Sequence, residues 1–375
     1  MMEHKKKIIS GYAERRKVMF RITGKTGSAV CYVKKVELEA FQQICRMCDY
    51  EFTKDSKIRI MPDMYVEKGF TVGTTMTVTD KVVPNMIGTD PGCGIYTVNL
   101  GKGEIDFEKL DEAAYSLPSG KNVWEEAQET FDFQELCCYG NLKNTEWLER
   151  SPGTLGEGEH FIRVDRAADG TNYLMIHSGS GNLGEQVAEI YQQMAVELHK
   201  DKEEDSRKKE EMMRICKEQG HGKEVLQALE KFFEAQKKET IPEDLCFLHG
   251  EPFDNYLHDV EICQRFAKRN REKIAEILLA RAGLTGGESF HTVHNYIDME
   301  EMILRKGAIA AHAGEKVLIP INMCDGSILA IGKGNPEWNY SAPMTYKVPG
   351  DIMDSVTDSV EMMEVLKPVY TFKAK

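Results

Sequence analysis

Residues 16–35 alternate apolar and polar positions on either side of a glycine-containing stretch at 24–27, VMFRITG before it and SAVCYV after it. A period of two around a turn predicts a β-hairpin. The next stretch, VELEAFQQICRMC, changes to helical spacing and predicts a helix over about 37–48. From Lys57 to Leu100 the chain is rich in strand formers and glycine, with KIRIM, TTMTVT, VVPNMIG and GIYTVNL as successive strand segments. Strand ends followed by glycine-rich loops are common mounts for functional groups. Residues 105–150 read as mixed helix and loop.

A second block runs over 153–195. HFIRVD and NYLMIH predict strands, HSGSGNLG a tight turn, and EQVAEIYQQMAVEL a helix. The segment over about 200–240 is dense in charge, KDKEEDSRKKEEMMR included, and its balance of acids and bases predicts a solvated helical excursion from the body. In DVEICQRFAKRNREKIAEILLARA the apolar positions Val260, Cys263, Phe266, Ala267, Ile274, Ile277 and Leu278 recur at helical spacing. Strands resume at VLIPINM and SILAIGK. Helix and strand blocks do not alternate regularly, and no repeat, low-complexity tract or linker divides the chain. The expectation is one α+β domain over 1–375, with a mostly antiparallel strand core and peripheral helices.

Composition narrows the function classes. The chain has 375 residues, 41% of them hydrophobic, enough for a sizeable core. Its net charge of −13 argues against indiscriminate nucleic-acid binding, which rests on basic surface, but leaves room for a local basic groove. No run of about 18 apolar residues predicts a membrane span, and the start, MMEHKKKIISGYAERRK, lacks the apolar run of a secretory signal. The ten cysteines are scattered. Cys45 and Cys48 form the one C-x-x-C, within a predicted helix and without a partner pair, so a packing role outweighs a zinc site. A reducing cytoplasm is the expected location.

Three segments carry candidate chemistry. GTDPGCG at 88–94 puts Asp90 and Cys93 in one glycine-rich turn after an apolar strand. Such a turn can aim a carboxylate and a thiolate at one metal ion, or be a tight turn with a buried thiol. GEGEHFI places His160 at the start of a strand and YLMIHSGSGNLG places His177 at the end of the next, so antiparallel pairing brings the two together. FHTVHN adds His291, His294 and Asn295, in a polar stretch read as preceding a helix. Each histidine alone is an ordinary structural residue. Taken together, an Asp, a Cys and three His form the donor inventory of a di-metal site with hard and soft ligands.

The motifs IRIMPD, GFTVGTTMTV, VVPNMIGTDPGCG, GTLGEGEHFI, YLMIHSGSGNLGEQVAEIY, FAKRNRE, HTVHNYIDME, LRKGA, LIPINM and WNYSAP, in this order, resemble the RtcB-type RNA ligases from about Lys57 to the C-terminus. The resemblance implies an enzyme that joins an RNA 3′-phosphate or 2′,3′-cyclic phosphate to a 5′-hydroxyl, using GTP and two manganese ions through a histidine-linked GMP. It implies Asp90, Cys93, His160, His177 and His294 as metal ligands, with Cys93 bridging the ions. It also implies nucleotide contacts from Glu159, His160, Asn295, Pro320, Met323, Ser327 and Lys373. Phe266, Ala267, Asn270 and Arg271 match the family's helix behind the site. The expected partners are RNA, GTP and, as in some family members, an activating protein.

Departures from the family pattern cluster at the same site. After WNYSAP the family continues with a histidine–glycine–alanine–glycine–arginine run whose histidine takes the GMP; here Pro343 is followed by Met344. His312, in AAHAG, reads as a surface residue. Met64, Tyr65 and Val66 stand where a histidine usually follows the MPD motif. Glu159, Arg163, Gly181 and Cys324 replace the family's asparagine, acidic residue and two arginines. A guanidinium makes paired bonds to phosphate that glycine and cysteine cannot replace. Three readings follow: a ligase, a metal- and nucleotide- or RNA-binding relative that does not ligate, and a metal-dependent hydrolase that opens a cyclic phosphate.

Overall fold

A computed structural model describes residues 20–33, 36–67, 69–200, 211–215, 225, 227, 241–344 and 356–374. The expected charged excursion over about 200–240 lies outside the described residues, apart from those few positions. The first hairpin is β1 (Phe20–Thr23) and β2 (Ser28–Cys31), followed by α1 (Leu38–Met47). The glycine-rich block gives β3 (Ile58–Tyr65), β4 (Val72–Thr77), the short β5 (Lys81–Val82) and β6 (Cys93–Gly101). Two helices, α2 (Phe107–Tyr115) and α3 (Thr145–Glu149), precede β7 (Phe161–Arg166), β8 (Asn172–Ser178) and α4 (Asn182–His199). The two-residue β9 (Leu248–His249) leads into the long α5 (Glu251–Ala282), then β10 (Ser289–Asp298), β11 (Ile303–Lys306), β12 (Ala308–Ala310), β13 (Lys316–Asn322), β14 (Gly326–Gly332), β15 (Ser341–Pro343) and β16 (Val360–Lys373).

Twelve of these strands form one sheet in the order β1-β2-β3-β4-β11-β10-β6-β8-β7-β16-β14-β13. Only β2 and β3 pair in parallel, so the α+β architecture with an antiparallel core holds. Its central strands are buried on both faces. On one face, Val98, Ile162, Val164, Leu174 and Ile176 pack with Leu110 of α2 and with Ile274 and Leu278 of α5. On the other, Ile95, Phe161 and Met175 pack with Leu318, Leu329 and Leu366, because the β13–β14–β16 end of the sheet folds back over it. The strand period of two separates these sets: 162 and 164 face one way, 161 the other.

The sequence places α5 correctly and starts it late. The helix begins at Glu251, with Pro252 in its first turn, where a missing N–H costs nothing. The HTVHN stretch is a correction: it is the middle of strand β10, not a loop before a helix. Thr292 and Val293 are β-branched, and β10 pairs on both sides, with β6 and β11, which outweighs the local polarity. Cys45 and Cys48 sit in or beside α1, Cys48 fully buried, and all nine described cysteines are free. Among the described residues no helix is long and apolar enough to cross a membrane.

Helix α5 locks the strand ends by polar contacts. The buried Asn270 side chain accepts from the Gly153 N–H at 2.7 Å and donates to the carbonyls of Thr154 (3.0 Å) and Gly179 (3.3 Å) and to Ser178 Oγ (3.2 Å). The fully buried Arg271 donates to the carbonyls of Gly92 (2.6 Å) and Ser178 (2.9 Å). The approach is close: a Cβ on Gly92, at φ +85°, would meet Ala267 Cβ at 2.8 Å and Gln264 Cα at 2.9 Å. We predict that Asn270→Ala lowers stability by about 2–3 kcal/mol, since it strands several buried polar groups at once. Chemical denaturation measures this, and a loss below about 0.5 kcal/mol would contradict the assigned role.

Candidate metal centre

Strands β10, β6, β8 and β7 are neighbours, and their order brings the predicted donors to one place. In register, Phe161 faces His177, Ile95 faces His177 from the other side, and Cys93 faces Asn295. The β7–β8 pairing thus joins His160 to His177, as the hairpin argument anticipates. His294 arrives differently. The ladder between β10 and β6 slips between Val293 and Asn295, and His294 is the residue left over. A bulge of this kind re-aims a side chain that regular alternation would point elsewhere.

Cys93 Sγ lies 3.4 Å from His177 Nε2 and 3.6 Å from His160 Nε2. His177 Nε2 is 3.0 Å from His294 Nε2, and His160 Nε2 is 3.2 Å from Asp90 Oδ2. The donor atoms form two groups, Cys93–His177–His294 and Asp90–Cys93–His160, each with its atoms within 4.8 Å of one another. Cys93 belongs to both. His160 Nδ1 donates to the Leu155 carbonyl at 2.8 Å and His177 Nδ1 to the Glu159 carbonyl at 3.1 Å. With the proton held on Nδ1, the His177 ring turns an Nε2 lone pair toward the cluster, the tautomer a metal ligand needs, while His160 Nε2 faces the Asp90 carboxylate.

Burial sets the electrostatics. It pushes the Cys93 thiol well above its ordinary range, and Asp90 adds to the shift while Arg271 opposes it. It pulls His177 well below the usual imidazole value, helped by the charges His294 and His160 would carry, and brings His294 down to about 3. Asp90 goes the other way: burial alone would raise it, but His160, Ser180 and the Gly181 N–H hold it well below the carboxylate range. Its Oδ1 accepts from Ser180 N (2.6 Å), Ser180 Oγ (2.9 Å) and Gly181 N (3.1 Å), at the N-terminus of α4. Neutral imidazoles and an ionised carboxylate are the states that bind a cation. Two other groups of potential ligands lie elsewhere. In one, Asp259 spends its carboxylate on the N–H groups of Cys137 and Cys138 and on Tyr191. In the other, Asp298 and Glu301 lie beside Arg305.

The cluster opens into a cavity of about 1090 Å³. Glu159 and Asn295 line it; Asn295 Oδ1 accepts from the Gly307 N–H at 2.9 Å, and the Glu159 carboxylate pairs with Lys373 at 3.2 Å. Pro320, Met323, Ser327 and Lys373 do not line it. Pro320 and Ser327 face each other across the β13–β14 pair. Ser327 is fully buried, with its hydroxyl taken by Arg163. Arg163, also fully buried, pairs with Asp165 at 2.8 Å. Sequence reasoning missed other residues that line the cavity, including Lys121, Asn144 and Trp147. These residues fall in the mixed 105–150 stretch and carry no local motif. An apolar–polar scan sees Trp147 only as part of a short helix.

A family model described as tRNA-splicing ligase RtcB matches residues 121–344, more than half of the chain. The chain belongs to the RtcB family. It is 27% identical over 346 residues to RNA-splicing ligase RtcB of Escherichia coli strain K12, covering 80% of this chain and 76% of that protein. It is 21% identical over 304 residues to RNA-splicing ligase RtcB2 of E. coli strain ATCC 25922, covering 75% of this chain and 65% of that protein. The RtcB match includes His160, His177 and His294 and ends at Met344, directly after WNYSAP.

Gly179 permits the Asp90 approach, since a Cβ there would lie 2.2 Å from both carboxylate oxygens. We predict that Gly179→Ala displaces Asp90 and weakens divalent-metal binding at least tenfold, with the chain still folded. Calorimetric titration with manganese, alongside a thermal melt, checks both halves; unchanged affinity would contradict the placement of Asp90.

Proposed function

We propose that this chain is a metal-dependent RNA-end enzyme of the RtcB family, with two divalent cations, manganese by family resemblance, held by Asp90, Cys93, His160, His177 and His294. The observation that carries the reading is the sharing of Cys93 between two three-donor groups, in which backbone carbonyls hold the Nδ1 protons of His160 and His177. Three imidazoles, a thiolate and a carboxylate suit first-row divalent metals. When bound, such ions neutralise phosphate charge and favour phosphoryl chemistry. The substrate class is an RNA 3′-phosphate or 2′,3′-cyclic phosphate, and the family reaction joins it to a 5′-hydroxyl with GTP.

The protein's own residues make anion binding depend on the cations. Among the described residues six carboxylates line the cavity, those of Asp63, Glu67, Asp90, Glu157, Glu159 and Glu185, with Lys121 the one lining cation, while Lys306 pairs with Glu67 at 2.7 Å and Lys373 with Glu159 at 3.2 Å. Such a surface repels a phosphate end until the cations reverse its local charge. Metal loading must also displace a proton. The Cys93 thiol, raised well above 9.0, is protonated at pH 7.5 and binds metal as thiolate. Manganese titrations in two buffers of different ionisation enthalpy are therefore expected to show proton release that disappears in Cys93→Ala. Release that persists in that variant would remove Cys93 from the ligand set.

A second reading, opening or binding of the RNA end without GMP transfer, is favoured by one observation. The histidines lining the cavity, among the described residues, are His160, His177 and His294, all in the ligand groups. His312 is instead beside Glu301, at 3.6 Å. Incubation with manganese and GTP labelled at the α-phosphate, followed by denaturing electrophoresis, separates the two. A labelled band supports the full ligase reaction. Without a band, manganese-dependent opening of a 2′,3′-cyclic phosphate that is lost in His177→Ala supports the second reading. Neither activity, with manganese bound, would refute catalysis and leave an RNA-end-binding protein.

A further inference from the structure

The metal centre occupies one part of the cavity. A volume of about 1090 Å³ is at the upper end of small-ligand pockets and has room for much more than two ions and a phosphate. Its lining also includes Lys121, Asn144, Trp147 and Asn182. Trp147 is half-buried: it packs against the largest hydrophobic cluster and also lines the cavity. Its mount is fastened to α4. Gln186 accepts from the Lys143 N–H at 2.7 Å and donates to the Lys143 carbonyl at 3.1 Å and to Asn182 Oδ1 at 2.8 Å. The same helix begins at the Ser180–Gly181 amides that hold Asp90. Gln186 thus ties the segment just before Trp147 to the helix whose N-terminus holds Asp90.

From this arrangement, resting on the reading of the cavity as an RNA-end site, we infer that Trp147 is the stacking platform for the nucleobase whose phosphate lies at the metal centre. The lining supports it: the described residues facing the cavity include six carboxylates and Lys121, and an aromatic face among them supplies affinity that is indifferent to charge and tolerant of base identity. The chemistry recognised is a nucleobase, which an RNA 3′ end or a free nucleotide can each supply.

Tryptophan emission reads this directly. Of the three tryptophans, Trp338 is fully buried and packs on Tyr32, while Trp124 gives its N–H to the Gly153 carbonyl and lies under Arg281; neither lines the cavity. The full chain with manganese is titrated with adenosine 2′,3′-cyclic phosphate, with GTP and with ribose 5-phosphate, which has no base. Quenching by either base-bearing ligand but not by ribose 5-phosphate is expected, and the more effective of the two identifies the source of the base. Trp147→Phe is expected to abolish the quench while keeping affinity within a few-fold. Trp147→Ala is expected to weaken binding by about tenfold or more, with manganese stoichiometry unchanged in both. The inference is overturned if the wild type shows no quench, if the quench survives in Trp147→Phe, or if Trp147→Ala binds as tightly as wild type. A base-dependent quench lost in Trp147→Phe, in a chain that does not bind manganese, would support the platform while removing the metal reading.

Discussion

Two imidazole nitrogens face each other at 3.0 Å in a buried place, and much of the structure depends on what lies between them. His177 has spent its Nδ1 proton on the Glu159 carbonyl, so its Nε2 offers a lone pair. The two nitrogens can share one proton, or both would serve as ligands of one cation. Burial disfavours the extra proton that would make either ring an imidazolium. The same pressure keeps the neighbouring thiol protonated. Burial thus keeps these two imidazoles and the thiol uncharged, while Asp90 alone is held ionised by its own donors.

Holding those groups against each other takes most of the fold. Four adjacent strands deliver them, one through a bulge, and α5 ties the loops from behind with an amide and a guanidinium that bond to backbone carbonyls on both sides of the cluster. The α4 N-terminus fixes Asp90 with two backbone amides, where the helix dipole favours a carboxylate. Asp90 and His177 are thus held by partners distant in sequence, Cys93 and His294 by strand pairing, and His160 by the Leu155 carbonyl five residues back, so the cluster exists only once the sheet is complete.

This explains what was legible in the sequence. The strand pair around His160 and His177, the helix carrying Asn270 and Arg271, and the antiparallel core all follow from local periodicity, which the final packing reinforces. His294 was readable as a donor but not as a strand residue, because its polar neighbourhood hides a β10 that is stabilised by pairing on both sides. Trp147 and Lys121 were not legible at all. The segment before Trp147 is tied to α4 through Lys143 and Gln186, and Gly120, next to Lys121, is tied to Gly156, and such contacts leave no spacing signature along the chain.

Arg163 shows how a single position redistributes function within a conserved frame. Its odd-numbered place on β7 puts it on the same face as Phe161, toward the folded-back β14, not toward the cavity. There the guanidinium is neutralised by Asp165 and takes the Ser327 hydroxyl and the Asn322 carbonyl. A buried arginine with this many partners is not free to meet a phosphate, and the serine it binds is not free to meet a nucleotide. The β13–β14 hairpin is thereby held as structure. Of the residues the family resemblance implicates in nucleotide contact, Glu159, His160 and Asn295 line the cavity, and α4 links its N-terminal hold on Asp90 to the segment that precedes Trp147.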